Sequence, residues 1–351
     1  MASTSFPIFG VTPVPPPAPS ADRLRDSHGR AITDLRVSVT DRCNYRCVYC
    51  RTGTDGAQYA ELPIADYARI IRVFVSLGIE KVRLTGGEPL LRKGLVDLIQ
   101  EIASPNLDIA LTTNGHLLED LAGPLRRAGL NRVTVSMDAV DPEIFASITR
   151  VPGSYERVLR GVRASQAAGL GRVKINAVLL RGFNDNQIEA FARFSRDENV
   201  IVRFIEYMPL EEPSAEQNAR AWTPEIVVSM DEIVARLNAF RPLVALPANH
   251  ASETARRFTF DDGLGEIGII APVSRPFCGH CSRVRLTSDG KVRTCLFSQS
   301  DHDLLGIMRR GASDDDMAGW IRAVVMRKEA RHHIGEPGFL KPSRSMVHIG
   351  G

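Results

Sequence analysis

The sequence predicts an α/β protein: an incomplete, six-unit parallel β/α barrel followed by a small C-terminal α+β extension. Three observations predict it. Strand and helix patterns alternate from Ala31 to about residue 210, the rhythm of a parallel sheet with crossover helices. The strand segments read as largely apolar. Beyond residue 225 the rhythm gives way to hairpin signals and short helices. The length of 351 residues allows a complete eight-unit barrel, but the repeat stops after six.

In chain order, residues 34–39 read as the first strand and lead into a cysteine-rich segment. A helix over 64–77 and a strand over 81–84 follow, the strand ending at Thr85-Gly86-Gly87-Glu88-Pro89. Then come a helix over 95–103, a strand over 108–112, a helix over 116–128 and a strand over 132–137. Helical patterns over 142–149 and 155–168 precede a strand over 172–180, a helix near 186–197 and a strand over 200–205. Residues 211–225 are polar and loop-like, and 229–240 reads as a helix. Asp261-Asp262-Gly263 joins strands over 257–260 and 266–270, and Ser288-Asp289-Gly290 joins strands over 283–286 and 291–294. Helices near 302–310 and 314–328 complete the extension. We expect three parts: a proline-rich arm over 1–23, the barrel over 24–225 and the extension over 226–351. The stretch Pro13-Val14-Pro15-Pro16-Pro17-Ala18-Pro19 favours an extended arm rather than a core.

Composition excludes some classes of function. Hydrophobic residues make up 44% and charged residues 24% of the chain, ordinary for a globular protein. A net charge of +3 gives no general case for nucleic-acid binding. No apolar run reaches the length of a membrane span. No secretory signal is visible either, so the expected location is the cytoplasm.

All six cysteines fall in two triplets: Cys43, Cys47, Cys50 and Cys278, Cys281, Cys295. The first has C-x3-C-x2-C spacing on one short loop. Three thiolates there can hold three irons of a four-iron cluster and leave the fourth iron open, since full protein ligation takes four cysteines. A zinc knuckle or a disulfide loop is the plainer reading, but no histidine in the stretch completes a structural zinc site. For the second triplet, a zinc ribbon with His280 as fourth ligand and a second open cluster both stand. His280 lies inside the C-x2-C loop, an awkward place from which to close the same tetrahedron.

In parallel barrels the functional groups gather at the C-terminal ends of strands. The cysteine loop, Gly86-Gly87, Thr112 and Asn114, Ser136 and Asp138, and Met208 all fall there. Arg36, Arg83, Lys174 and Arg203 lie on strands that otherwise read as apolar, and Arg283 and Arg285 share one strand face. Buried charge needs a partner, and guanidinium groups suit phosphate oxygens. No P-loop is present, so side chains would hold a phosphate.

The cysteine loop, with Tyr49 before its third cysteine, and the Gly-Gly-Glu-Pro stretch resemble those of the radical S-adenosylmethionine (SAM) enzymes. Four further segments narrow the resemblance: Leu35 to Asn44, Thr112-Thr113-Asn114-Gly115, Arg203 to Met208 and Phe277 to Leu286, with the terminal Ile349-Gly350-Gly351. They are similar to the GTP 3′,8-cyclases of molybdenum-cofactor biosynthesis, from about Leu24 to the last residue. The resemblance implies a radical SAM barrel and a lyase that converts GTP to 3′,8-cyclo-7,8-dihydro-GTP. It implies two [4Fe-4S] clusters, on Cys43, Cys47, Cys50 and on Cys278, Cys281, Cys295, the second with an open iron meeting guanine. Tyr49, Gly87, Ser136 and Met208 would contact SAM. Arg36, Arg83, Thr112, Lys174, Arg283 and Arg285 would contact GTP, and the Gly-Gly tail would reach the pocket.

The implied partners are an electron donor and a downstream cyclic pyranopterin monophosphate synthase, with room for a homodimer and no role for nucleic acid or membrane. A radical SAM enzyme that modifies a peptide and a zinc-ribbon adaptor are the competing readings. The arginine set argues against the first and the near-neutral charge against the second. The family usually has Met-Pro after the third cysteine, where this chain has Arg51-Thr52.

Overall fold

A computed structural model describes residues 23–50, 58–210 and 222–350. The proline-rich stretch, Arg51-Thr52, most of the polar 211–225 segment and Gly351 lie outside the described residues. The repeating units are β1 (Asp34–Ser38) with α1 (Ile64–Ser76), β2 (Lys81–Thr85) with α2 (Leu95–Ile102) and β3 (Asp108–Thr113) with α3 (Leu118–Arg127). β4 (Arg132–Ser136) is followed by α4 (Pro142–Thr149) and α5 (Ser154–Ala167), then come β5 (Lys174–Leu179), α6 (Ile188–Asp197) and β6 (Ile201–Glu206). All six strands pair in parallel in chain order.

The strands alternate between two environments, because successive side chains point to opposite faces. Leu35, Val37, Val82, Leu84, Ile109, Leu111, Val133, Val135, Ile175, Ala177, Val202 and Phe204 are buried among Ile70, Phe74, Leu98, Leu125, Val158 and Phe191 of the helices. Phe191 of α6 meets Phe204 of β6 edge-on, with ring centroids 5.7 Å apart. The other face carries Arg36, Arg83, Thr112, Thr134, Lys174, Asn176 and Arg203 and lines the inside of the curved sheet. Parallel pairing in register keeps each set on its own face, as with Arg36 beside Arg83 and Thr134 beside Lys174.

The rest of the chain is α7 (Met230–Phe240), β7 (Leu243–Leu246), β8 (Arg256–Phe260), β9 (Glu266–Ile270), β10 (Arg283–Leu286), β11 (Lys291–Arg293), β12 (His302–Asp303), α8 (Leu304–Arg309), α9 (Asp314–Val325) and α10 (Met346–Ile349). Capping fixes several helix starts. Ser229 accepts from the Glu232 backbone N–H, and Ser313 and Asp316 form a reciprocal capping box at the acid-rich start of α9.

Both expected hairpins form, β8–β9 and β10–β11. Their strands also continue the barrel sheet at both edges, because β9 pairs in parallel with β6 and β10 with β1. The described strands make one twelve-stranded sheet, ordered β12-β11-β10-β1-β2-β3-β4-β5-β6-β9-β8-β7. Three elements are additional to the expected set: β7, β12 and α10. β12 occupies the first two residues of the segment expected to be helical from 302.

Candidate active site

The glycine pair after β2 packs against the cysteine loop's own backbone. A Cβ on Gly86 would stand 2.3 Å from the Thr40 carbonyl oxygen, and one on Gly87 would stand 2.4 Å from that of Arg42. The backbone N–H of Gly87 donates to Thr40 O (2.8 Å), and that of Glu88 donates to Arg42 O (2.7 Å). Glycine is required here by close approach, and at Gly86 also by a φ of +151°.

Glu88 is fully buried beneath this junction. It accepts from the N–H groups of Leu90 (2.9 Å) and Asn114 (2.7 Å) and from the Thr113 hydroxyl (2.7 Å). Burial pushes its carboxyl up to about 7, against the pull of those bonds. Asn114 in turn donates to Asn44 of the cysteine loop (2.8 Å).

The first cysteine loop is pinned to the end of α4, where Arg46 and Val48 donate to Thr149 O and Ile148 O. The Cys47 thiol is pushed well up by burial, and the neighbouring Cys50, Asp138 and Cys43 add to the shift. The other two thiols of the triplet are thus near enough to Cys47 to act on its charge. The Tyr49 hydroxyl donates to Asp138 Oδ2 (2.6 Å), and Asp138 Oδ1 accepts from Val178 N–H (2.8 Å). Burial raises Asp138 to about 6. Ser136 ends β4 beside Asn176 of β5, and the buried Asn176 Oδ1 has no partner among the described residues. Met208 follows β6 and packs against the cluster of Leu210, Phe297 and Ile334, as Cys295 and Met346 also do.

The second triplet is held by two buried cations. The Arg30 guanidinium donates to Cys278 O (2.8 Å) and to the carbonyls of Glu329 and Ala330. Lys328 donates to Thr294 O beside Cys295. Burial, with Cys295 and Cys281 close by, raises the Cys278 thiol. Burial acts the same way on Cys281, but Arg283 and Lys328 outweigh it and hold that thiol at about 6. His280 is exposed on the short turn Cys278–His280. Among the described residues no three His, Cys, Asp or Glu side chains close around a single metal ion. A four-iron cluster carries each thiolate on a different iron and so spaces them more widely.

Between the triplets the barrel interior is cationic. Arg285, Arg36 and Arg83 form one row across β10, β1 and β2. Arg83 Nη1 donates to Thr112 Oγ1 (3.1 Å) and Thr134 Oγ1 (3.2 Å), and Arg203 Nη2 donates to the same Thr134 oxygen (3.2 Å). Burial and the like charges of Arg285 and Arg283 lower Arg36 well below its ordinary value. Burial and Arg283 lower Arg285 to about 10, burial and Arg83 lower Arg203 to about 9, and burial and Arg203 lower Lys174 to about 8. The buried Nε atoms of Arg36 and Arg203 have no hydrogen-bond partner among the described residues. Cations held this close, with unsatisfied donors, are built for a multiply charged anion.

Gly350 enters the same space. Arg285 donates to the carbonyls of Ile349 (3.2 Å) and Gly350, and a Cβ on Gly350 would stand 2.6 Å from Thr85 Cγ2 at the end of β2.

Arg36, Arg83, Thr112, Lys174, Arg283 and Arg285 thus lie on the inner face, Ser136 ends β4, Gly87, Met208 and the first cysteine loop follow strand ends, and Cys278 and Cys281 lie on the turn before β10. Besides Glu88 and Asp138, three further contributors were not assigned roles from sequence. Lys81 precedes Arg83 by two and shares its face, a signal that strand period could have supplied. Thr134 looks ordinary until two arginines share its oxygen. Glu206, fully buried, accepts from the backbones of Met230, Val273 and Ser274, and so ties β6 to the approach to Cys278.

Residues 37–195 match the Radical SAM superfamily and residues 200–334 match Molybdenum Cofactor Synthesis C. In fold, the chain is similar to Streptococcus suis SuiB bound to S-adenosylmethionine, with a TM-score of 0.60 at 14% identity over 90% of this chain and 78% of that one. The partial barrel and the cysteine loop after its first strand define a radical SAM enzyme. A GTP 3′,8-cyclase of Acidothermus cellulolyticus is 45% identical over 82% of this chain and 80% of its own. That of Streptomyces coelicolor is 41% identical over 93% and 96%. The chain belongs to the GTP 3′,8-cyclase family.

Proposed function

We propose that the chain is a lyase that converts GTP to (8S)-3′,8-cyclo-7,8-dihydroguanosine 5′-triphosphate in molybdenum-cofactor biosynthesis. The observation that carries the substrate is the row Arg285, Arg36, Arg83 with Arg203 and Lys174, whose mutual repulsion a triphosphate would relieve. The donor set fits the cofactors: Cys43, Cys47 and Cys50 would hold one [4Fe-4S] cluster, and Cys278, Cys281 and Cys295 a second. When bound, the first cluster and SAM supply one-electron cleavage of SAM and a carbon radical able to take hydrogen from C3′ of GTP.

The protein's part is to bind, orient and exclude water. Tyr49, Gly87, Ser136 and Met208 would hold SAM beside the first cysteine triplet. Glu88 fixes the glycine turn and Asp138 fixes Tyr49. Arg36, Arg83, Thr112, Lys174, Arg283 and Arg285 would hold GTP, with the second cysteine triplet available to the guanine end. The tail, through Gly350 on Arg285, would narrow the pocket beside the bound GTP. An electron donor would feed the first cluster, and a cyclic pyranopterin monophosphate synthase would take the product. The setting would be the cytoplasm, with the enzyme as a single chain or a homodimer. No described helix is long and apolar enough to cross a membrane.

The test is anaerobic reconstitution followed by turnover with SAM, GTP and a reductant. The enzyme should hold about eight irons, at ~4 per cluster, and form the cyclised nucleotide. Replacing Cys278, Cys281 and Cys295 together by Ala should leave 5′-deoxyadenosine formation and abolish cyclisation. Zinc in the second triplet, or cyclised product from that variant, would defeat the two-cluster reading.

A further inference from the structure

The tail is anchored well before its last residue. Arg344 is 9% exposed and forms a forked ion pair with Asp289 (2.9 Å at both oxygens), and its Nε pairs with Asp301. Its guanidinium lies over the Tyr59 ring, 4.3 Å from the centroid. His348 meets the same ring edge-on, at 5.1 Å between centroids and 83° between planes. Its Nδ1 is 3.0 Å from Ser345 Oγ, and its Nε2 is 4.0 Å from Asp41 Oδ2. Asp41 is 1% exposed, and that same oxygen accepts from the backbones of Gln58 (2.6 Å) and Tyr59 (2.9 Å).

These contacts share one logic. α10 is a single turn, too short to hold itself. Asp41 precedes the first cysteine triplet and Tyr59 follows it, so the Asp41 carboxylate closes the base of the cysteine loop. The ring that it fixes is the surface on which Arg344 and His348 settle. Arg344 also grips Asp289, in the turn between β10 and β11, and β10 carries Arg283 and Arg285.

We propose that Tyr59, Arg344 and His348 are positioning residues that latch the C-terminal tail in the barrel mouth, tying its placement to the closed base of the cysteine loop. The effect on the reaction rests on the tail's role proposed above. The ring face of Tyr59 and the charge of Arg344 make the latch. Releasing them frees the tail without touching SAM or the thiolates.

The experiment uses the reconstituted full chain and two readouts: hydrogen exchange over residues 344–350, and the ratio of 5′-deoxyadenosine to cyclised product. Tyr59→Ala and Arg344→Met should speed tail exchange by roughly tenfold or more, the scale of a lost desolvated cation–π contact, and raise the ratio. Tyr59→Phe, which keeps the ring, should rescue both readouts. Iron content and SAM binding verify the fold, and if Arg344→Met does not assemble, the Tyr59 pair decides alone. Unchanged tail exchange in Tyr59→Ala overturns the latch. A chain ending at Ile349 separates the two ideas. If truncation raises the ratio while a freed tail does not, the latch fails and the tail's role stands. If neither raises it, the tail's role fails.

Discussion

Lys174 shares the inner face with Lys81, Arg83, Arg132 and Arg203, and burial together with those charges holds its ammonium at about 8. A bound triphosphate would raise that value toward the ordinary lysine range near ~10.4. The free enzyme loses the proton as pH rises through 8, whereas the complex keeps it. GTP binding is therefore full below pH 8 and weakens above it, by at most about tenfold per pH unit for one proton. Titration calorimetry in buffers of different ionisation enthalpy should find proton uptake near pH 8–8.5, well above the terminal-phosphate range near ~6. Uptake should fall sharply in Lys174→Met.

Gly87 gives a steric prediction at the same scale. A methyl group there meets the Arg42 carbonyl, which is backbone and cannot swing away. Gly87→Ala should cost about 1–3 kcal/mol as an overpacked site and weaken SAM binding, read by thermal melting and ligand titration. The cysteines and the basic residues stand out in the sequence because type and spacing alone suggest a chemistry for them. Glu88 and Asp138 were visible as letters only. Their work is to accept from Asn114, Thr113, Leu90, Tyr49 and Val178, and those partners are set by tertiary contact.

At the scale of elements, the tail makes the sharpest test. A chain ending at Ile349 loses Gly350, whose carbonyl accepts from Arg285. It should keep the iron content of the full chain and still cleave SAM. If the tail narrows the pocket as proposed, the ratio of 5′-deoxyadenosine to cyclised nucleotide should rise. Chromatography of both products in one reaction mixture checks this. The six barrel units were readable because apolar periodicity repeats with them. β7, Leu-Val-Ala-Leu at the sheet edge, lacks alternation, and its Val244 is 48% exposed. β12 is two residues at the start of an apparent helix, and α10 is one turn held by Tyr59 and Asp41 from far away in the chain. Sharing of a face by Arg283 and Arg285 followed from strand period. Their place beside Arg36 depends on β10 joining β1, and no local pattern encodes that pairing.

For the whole molecule, the sheet crosses the boundary between barrel and extension twice, at β6–β9 and at β1–β10. A fragment of residues 24–225 would leave both of those edges bare, each a template for pairing with other chains. It should express as aggregate or as a poorly cooperative species, and adding residues 226–351 in trans should recover little. Sedimentation and circular dichroism of the fragment check this; a monomeric fragment with a sharp melt would contradict it. The same pairing sets a timetable for birth at the ribosome. Arg283 must find Asp34 across about 250 residues of sequence, and at ~5–20 residues per second the partner strand emerges roughly 12–50 s after the first. For that interval the nascent chain carries an open β1 edge, with the first cysteine loop at its end and no tail to cover it. Holdase chaperones and the pace of translation would therefore govern how much of this enzyme reaches the stage at which iron can be loaded.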